Sequence, residues 1–281
     1  LIKQQNFIKM AKTIFITGAS RGFGRIWAEA FLKRGDNVVA AVRNPETLKE
    51  LTKQFSINLL ILKLDVTDKK ASFEAIETAK THFGRIDVLI NNAGYGHIGA
   101  VEELNEQDVR SQFETNVLGS LWTIQAVLPI MRQQNSGQII QLSSALGLNT
   151  VSLMGLYSAS KFAVEGLTET LAGEVSGFGI KVTILEPGGF STDFFGTNSL
   201  ALSESLPTYD GIRKDFYEHA DEQDAGNPAA TAKAILNLVD SENPPLRLLL
   251  GKTAYPWVKY TYEERLKTWE SWQEVSVAAH G

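Results

Sequence analysis

Seven short apolar segments, separated by stretches of helical spacing, constrain this chain more than any other feature. Thr13–Thr17, Val38–Val42, Leu59–Leu64, Asp87–Ile90, Gln138–Leu142, Lys181–Leu185 and Leu246–Leu250 read as strands. They are near-continuous apolar runs and lack the alternation expected of a sheet with one wet face. Such strands belong to a parallel sheet covered on both sides. Helical spacing runs over Arg25–Arg34, Pro45–Gln54, Asp68–His82, Asn105–Gln134, Gly155–Val175 and Pro228–Val239, and Gly35 sits where a helix C′ glycine belongs. This alternation predicts an α/β fold: a doubly wound, mostly parallel sheet with helices on both faces and right-handed crossovers.

No repeat, low-complexity stretch or linker interrupts the series, so 281 residues read as one domain over 11–281. Residues 1–10 read as an N-terminal extension. They lack the continuous apolar stretch of a signal peptide, and Met10 is a candidate natural start. The rhythm breaks between Phe190 and Asn227; a long insertion of this kind is usually functional or mobile, and it is read as a substrate lid. An aromatic tail follows from about residue 251, with helical character over Tyr260–Glu274. A net charge of -5 argues against a nucleic-acid partner, which generally needs a basic face. The absence of cysteine excludes disulfides, thiolate metal sites and a cysteine nucleophile. No metal is expected. No apolar run reaches the ~20 residues that span a bilayer, so no membrane is expected either, and a cytoplasmic location is.

The first strand runs into Thr17-Gly18-Ala19-Ser20-Arg21-Gly22-Phe23-Gly24. Glycines between a strand and a helix let the backbone turn sharply and approach a pyrophosphate seated on the helix N-terminus. The spacing is GxxxGxG, a variant of the usual dinucleotide fingerprint. The same residues also fit a GxSxG nucleophile elbow. That rival reading makes Ser20 an acyl-transfer nucleophile, with His82, His97, His219 or His280 as base. An elbow of that kind normally follows several strands, and this one follows the first.

Tyr157 and Lys161 lie four residues apart, on one helix face. An ammonium beside a phenol lowers its pKa, and the pair can then act as general acid or base. Such pairs are common on ordinary helices, so the spacing alone decides little. Ser144 follows the strand Gln138–Leu142, and Asn91-Asn92-Ala93-Gly94 follows Asp87–Ile90. Both stand at carboxyl ends, where open α/β sheets bind ligands. A serine there can hydrogen-bond a reacting oxygen. Asn116 is an unusual choice inside an apolar helix: either a satisfied core amide or an anchor for a water near the site.

As an ordered set, TGASRGFG (17–24), Asp65, NNAG (91–94), Asn116, Ser144, YSASK (157–161) and PGGFST (187–192) resemble the motifs of short-chain dehydrogenases/reductases, over roughly residues 12–250. The resemblance implies a seven-stranded Rossmann sheet and a catalytic set of Asn116, Ser144, Tyr157 and Lys161. Tyr157 would exchange the proton, Lys161 would lower its pKa and bind the nicotinamide ribose, Ser144 would orient the substrate oxygen, and Asn116 would support a proton relay through water. Gly18, Ser20, Arg21, Gly22, Phe23 and Gly24 would hold the cofactor. Asp65 and Val66 would face its adenine; Asn92, Ala93 and Gly94 would also contact it; Pro187, Gly188 and Thr192 would meet the nicotinamide.

NAD-specific sites place an acid at the end of the second strand. Here that strand ends in Arg43, with no acid before Glu46. A guanidinium at Arg43, helped by Arg21, suits a 2′-phosphate and points to NADP(H). Leu148, Leu153, Met154, Phe194 and Phe195 predict an apolar substrate pocket, suited to a ketone, aldehyde or secondary alcohol. The expected partner is a second copy of the chain, as a homodimer or homotetramer paired through Asn105–Gln134 and Gly155–Val175. A cofactor-binding sensor without turnover is a reading of another class; it would need the glycine turn and not the Tyr157/Lys161/Ser144 set.

Overall fold

The computed structural model describes residues 11–192, 199–219 and 225–281. Its first strand, β1 (Thr13–Thr17), is buried throughout and leads through the glycine turn into α1 (Gly22–Arg34). Then follow β2 (Asn37–Val42), α2 (Lys49–Gln54), β3 (Leu59–Lys63), α3 (Lys69–Phe83), β4 (Val88–Asn91) and a short β5 (Gly96–Ile98). The helical region read as Asn105–Gln134 divides into α4 (Glu106–Phe113), a π-helical turn (Glu114–Leu118) and α5 (Gly119–Gln134). The chain continues through β6 (Gly137–Leu142), α6 (Gly155–Val175), β7 (Ile180–Pro187), β8 (Leu200–Leu202), α7 (Asp210–His219), α8 (Thr231–Asp240) and β9 (Arg247–Leu250). It ends in α9 (Ala254–Ser271) and α10 (Gln273–Ala278), so the terminal helix starts six residues before the predicted Tyr260.

Seven strands form one parallel sheet in the order β3-β2-β1-β4-β6-β7-β9. This is the doubly wound Rossmann-type α/β architecture read from the sequence. Successive side chains of a strand point to opposite faces, and the core divides accordingly. Ile14 and Ile16 of β1 join Trp27, Phe31 and Ile235 under α1 and α8. Phe15 joins Ile76, Val127 and Leu171 under α3, α5 and α6. Trp27 is fully buried, and its indole N–H donates to the Thr231 hydroxyl at 2.9 Å, fastening α1 to α8.

Strand order reverses between β1 and β4, and a crevice opens there at the carboxyl ends of the strands. At the opposite pole, helices hand over to strands through left-handed residues: Gly35 after α1, Gly84 after α3, Asn135 after α5 and Gly179 beyond α6. β5 and β8 pair in parallel outside the main sheet. Three residues each is too short for a periodic signal, which is why neither was predicted. No helix among the described residues is long and apolar enough to cross a membrane.

Candidate active site

The crevice is a cleft of about 1250 Å³ running from Arg43 past Tyr157 to Phe216. Its floor is the glycine turn. Gly18 holds φ +67°, and a Cβ there would lie 2.9 Å from Ala93 Cα. A Cβ on Gly24 would come within 2.5 Å of the Gly18 carbonyl oxygen, so that glycine is required by close packing. Gly22 has φ +52° and open space around it; only the backbone conformation asks for glycine there. Ser20, Arg21, Gly22 and Phe23 line the cleft with Gly18, and Gly24 lies beneath it.

The turn after β4 is stitched to this floor. The Asn92 side-chain amide donates to the carbonyls of Thr17 (2.9 Å) and Gly18 (3.0 Å). The Thr17 hydroxyl accepts from the backbone N–H groups of Asn92 and Ala93, both at 3.0 Å. Thr17 thus supports the site, and sequence reasoning gave it no role; its place at the strand end was the available signal. Asn92, Ala93 and Gly94 line the cleft.

At the far end Arg43 is exposed, and no carboxylate among the described residues pairs with it. Arg21 lines the same end and is half-buried. Asp65 accepts from the Thr67 backbone N–H (3.1 Å) and hydroxyl (2.8 Å), and Val66 packs beside it against Gly119.

Tyr157 and Lys161 stand on the first turns of α6, both buried, facing Ser144 at the end of β6. The Ser144 hydroxyl is hydrogen-bonded with Tyr157 and also accepts from the Leu146 N–H at 3.1 Å. Lys161 Nζ donates to the Leu142 carbonyl at 2.9 Å and lies 5.6 Å from the centre of the Tyr157 ring. Burial pushes the Tyr157 hydroxyl above the ordinary phenol range, with Ser144 opposing. The Lys161 ammonium is directed at the Leu142 carbonyl and is not among the groups that shift Tyr157 here. Burial also brings Lys161 down to about 8, against the pull of Glu165.

Asn116 sits in the π-helical turn. Its Oδ1 accepts from the Tyr95 N–H (3.1 Å), and its amide donates to the Tyr95 carbonyl and the Ser160 hydroxyl (3.0 Å each). These bonds tie the β4 turn to α6. Pro187, Gly188 and Thr192 line the cleft beyond β7, where the Gly188 N–H donates to Leu250 O at 2.9 Å.

The end beyond Tyr157 is lined by Leu146, Val151, Met154, Leu200, Phe216 and Trp257. Met154 is where it was expected. Leu148 and Leu153 do not line the cleft. Leu148 packs on Ala254 and Val258 of α9. Leu153 takes φ +68° and turns into a cluster with Ile98 and Ala100. Phe194 and Phe195 lie outside the described residues, as does part of the expected lid. No histidine among the described residues lines the cleft beside Ser20, and the His219 side chain lies outside the described residues.

Comparison with known proteins agrees with this geometry. A family model described as short chain dehydrogenase matches residues 12–202. The chain is 39% identical to oxidoreductase BOA17 of Botryotinia fuckeliana, over 96% of this chain and 100% of that protein. It is 38% identical to the 3-ketodihydrosphingosine reductase of Bacteroides thetaiotaomicron, over 85% of this chain and 87% of that one. A solved short-chain dehydrogenase from Streptomyces avermitilis superposes with a TM-score of 0.89 at 38% identity, covering 96% of this chain and 98% of that one. An alcohol dehydrogenase from the archaeon Thermococcus sibiricus, solved with 5-hydroxy-NADP, gives 0.73 at 25% identity, over 87% and 98%.

Proposed function

The chain belongs to the short-chain dehydrogenase/reductase family, and from that premise we propose that this oxidoreductase moves a hydride between NADP(H) and a ketone, aldehyde or secondary alcohol of apolar character. The observation that carries the reading is the convergence of Ser144, Tyr157 and Lys161 beside a glycine turn in one cleft. The turn fits a dinucleotide: Gly22 lines the cleft at the N-terminus of α1 with open space where a Cβ would stand. Gly18, Ser20, Arg21, Gly22, Phe23, Asn92, Ala93 and Gly94 would hold it along the floor, with Asp65 and Val66 at the adenine and Pro187, Gly188 and Thr192 at the nicotinamide. When bound, the nicotinamide supplies or accepts the hydride.

In reduction, the Ser144 hydroxyl holds the substrate oxygen beside Tyr157. The raised pKa keeps the Tyr157 hydroxyl protonated at neutral pH. An alkoxide is a stronger base than a phenolate, so the proton passes from Tyr157 to the reacting oxygen. Lys161 faces the resulting phenolate and stabilises it by its charge. Alcohol oxidation runs these steps backwards. Asn116 holds the backbone of Tyr95 against α6 and so keeps the wall of the cleft in place.

NADP(H) is favoured over NAD(H) by Arg43, which has no carboxylate partner among the described residues, and by Arg21 at the adenine end; the Thermococcus protein was solved with an NADP derivative. The lining of Leu146, Val151, Met154, Leu200, Phe216 and Trp257 supports an apolar substrate. The Bacteroides relative is named for reduction of a ketone. A cytoplasmic homo-oligomer completes the proposal. The test is NADPH oxidation with a panel of apolar ketones and aldehydes, for wild type and Tyr157→Phe. Wild-type turnover is expected, with a loss of roughly 10²–10⁴-fold in the mutant and NADPH binding retained. Binding of NADPH without turnover on any carbonyl would favour the sensor reading.

A further inference from the structure

Behind the cleft, on the side of Lys161 away from the substrate, lies a group of charged residues that the reaction above does not use. Glu165 stands one turn after Lys161 on α6 and is 5% exposed. Glu186, the residue before Pro187 on β7, is 0% exposed. Arg247 opens β9 and reaches both: its Nη2 lies 3.1 Å from Glu165 Oε2, and its Nε lies 3.2 Å from Glu186 Oε1. The same guanidinium holds the half-exposed Glu169 at 3.0 Å. The Ser143 hydroxyl faces Glu165 from the end of β6, and a Cβ on Gly147 would press on both, 2.5 Å from Ser143 Oγ and 3.0 Å from Glu165 Oε1. One guanidinium thus serves two buried carboxylates in contact with each other, beside a buried ammonium.

We propose that Glu165 and Glu186 are positioning residues for Lys161: a buried acid pair that holds one proton between its members, leaves Glu165 ionised and thereby keeps the Lys161 ammonium charged. The inference rests on the reductase reading for the role of Lys161, but the pair itself does not depend on it. Two adjacent carboxylates in a low-dielectric site cannot both ionise cheaply. Arg247 offsets one negative charge, and much of its capacity is taken by Glu169. Burial and the neighbouring Glu165 raise the Glu186 carboxyl well above the carboxylate range. Burial raises Glu165 as well, while Ser143, Arg247 and Lys161 oppose. Glu165 in turn opposes the loss of the Lys161 proton. The charged and titratable groups facing the pair are Lys161 and Glu169 from α6 and Arg247 from β9; the end of β6 contributes the neutral Ser143 hydroxyl.

The two acids therefore act on Lys161 unequally, Glu165 as its anionic neighbour and Glu186 as the neutral partner of that anion. Removing Glu165 takes away its anionic neighbour, so its proton leaves at lower pH. Replacing Glu186 by Gln removes no charge, because Glu186 is the member that carries the proton, and the amide can still donate to Glu165, so the lysine holds its proton at least as well. A purely structural role would predict no such difference. The test is the titration of Lys161 in the cofactor-free protein carrying ¹³Cε-labelled lysine, its resonance assigned with Lys161→Arg. Wild type, Glu165→Gln and Glu186→Gln are compared, with thermal unfolding as the check on folding. In Glu165→Gln the midpoint should fall by about one pH unit or more. In Glu186→Gln it should stay or rise. The alkaline limb of kcat/KM with NADPH should move the same way for whichever carbonyl wild type reduces. An unmoved midpoint in Glu165→Gln, or a fall in both variants, overturns the proposal. If Glu165→Gln does not fold, Arg247→Met decides. Without the guanidinium Glu165 protonates more readily, so the Lys161 midpoint should fall; an unmoved one overturns the pair. Absence of any NADPH turnover in wild type would sink the reductase reading and leave the lysine titration to judge the pair.

Discussion

At the scale of single residues, Arg43 should decide which nicotinamide cofactor is used. It is exposed at the end of β2 without a carboxylate partner among the described residues, so its charge is available to a ligand. A charge-assisted contact to a 2′-phosphate contributes about 1.5–3 kcal/mol, or roughly one to two powers of ten. Arg43→Ala should lower the ratio of kcat/KM with NADPH to that with NADH by about that factor, measured at one ionic strength. A ratio equal to wild type would leave Arg43 an ordinary surface residue. The glycine turn, Ser144, Tyr157 and Lys161 were legible in the sequence because each belongs to a short motif tied to one strand end or one helix turn. Leu148 and Leu153 were not. They sit in a loop, where no period fixes direction, and the left-handed backbone of Leu153 turns its side chain into the core. Glu186 was hidden for another reason: one acid inside an apolar strand gives no sign of the acid on a helix that meets it.

Among the elements, the segment from β8 through α7 closes over the substrate end, and its fastening is electrostatic. Arg213 on α7 grips buried Glu103 at 2.7 and 2.9 Å. Glu103 also accepts from the N–H groups of Leu206 and Ala100, both at 2.7 Å. The Tyr209 hydroxyl donates to Glu102 at 2.6 Å, and His97 on β5 meets the Ser203 hydroxyl at 2.8 Å. The Leu206 N–H, then the Ala100 N–H and Arg213, hold the Glu103 carboxyl at about 2, below its ordinary 4.5. A depressed carboxylate stabilises above its ordinary value and loses that contribution as pH falls through its folded one. The fastening is therefore complete at neutral pH and released only in strong acid, between about 4.5 and about 2. Arg213→Ala should loosen the segment at neutral pH: a several-fold higher KM for the carbonyl, little change for NADPH, and faster proteolysis between residues 203 and 219. Unchanged KM and cleavage would show that the backbone pairing of β5 with β8 suffices. Little of this was legible, since three-residue strands carry no period and an Arg–Glu pair 110 positions apart leaves no local mark.

Across the whole molecule, α5 and α6 are the faces proposed for pairing two copies. Phe162 and Leu167 on α6 are 39% and 45% exposed, more apolar surface than a helix with one wet face usually shows. Light scattering across micromolar concentrations should give a dimer or tetramer; a monomer throughout would contradict the pairing. The seven-stranded parallel sheet followed from the alternation of segments and the family resemblance; the order of its strands carries no local mark.

The left-handed caps at Gly35, Gly84, Asn135 and Gly179 have a consequence for anyone wishing to re-engineer the chain. They mark the pole where helices return to strands, while the cleft occupies the pole where strands give way to helices. None of the four caps lines the cleft. Gly84 stands at an exposed corner with nothing near its missing side chain, so a new pair of termini, a reporter domain or a surface tether could be grafted there while the reactive pole keeps its shape. Gly179 is less accommodating, since a Cβ there would lie 2.5 Å from the Asn135 carbonyl oxygen and couple two corners that ought to be varied singly.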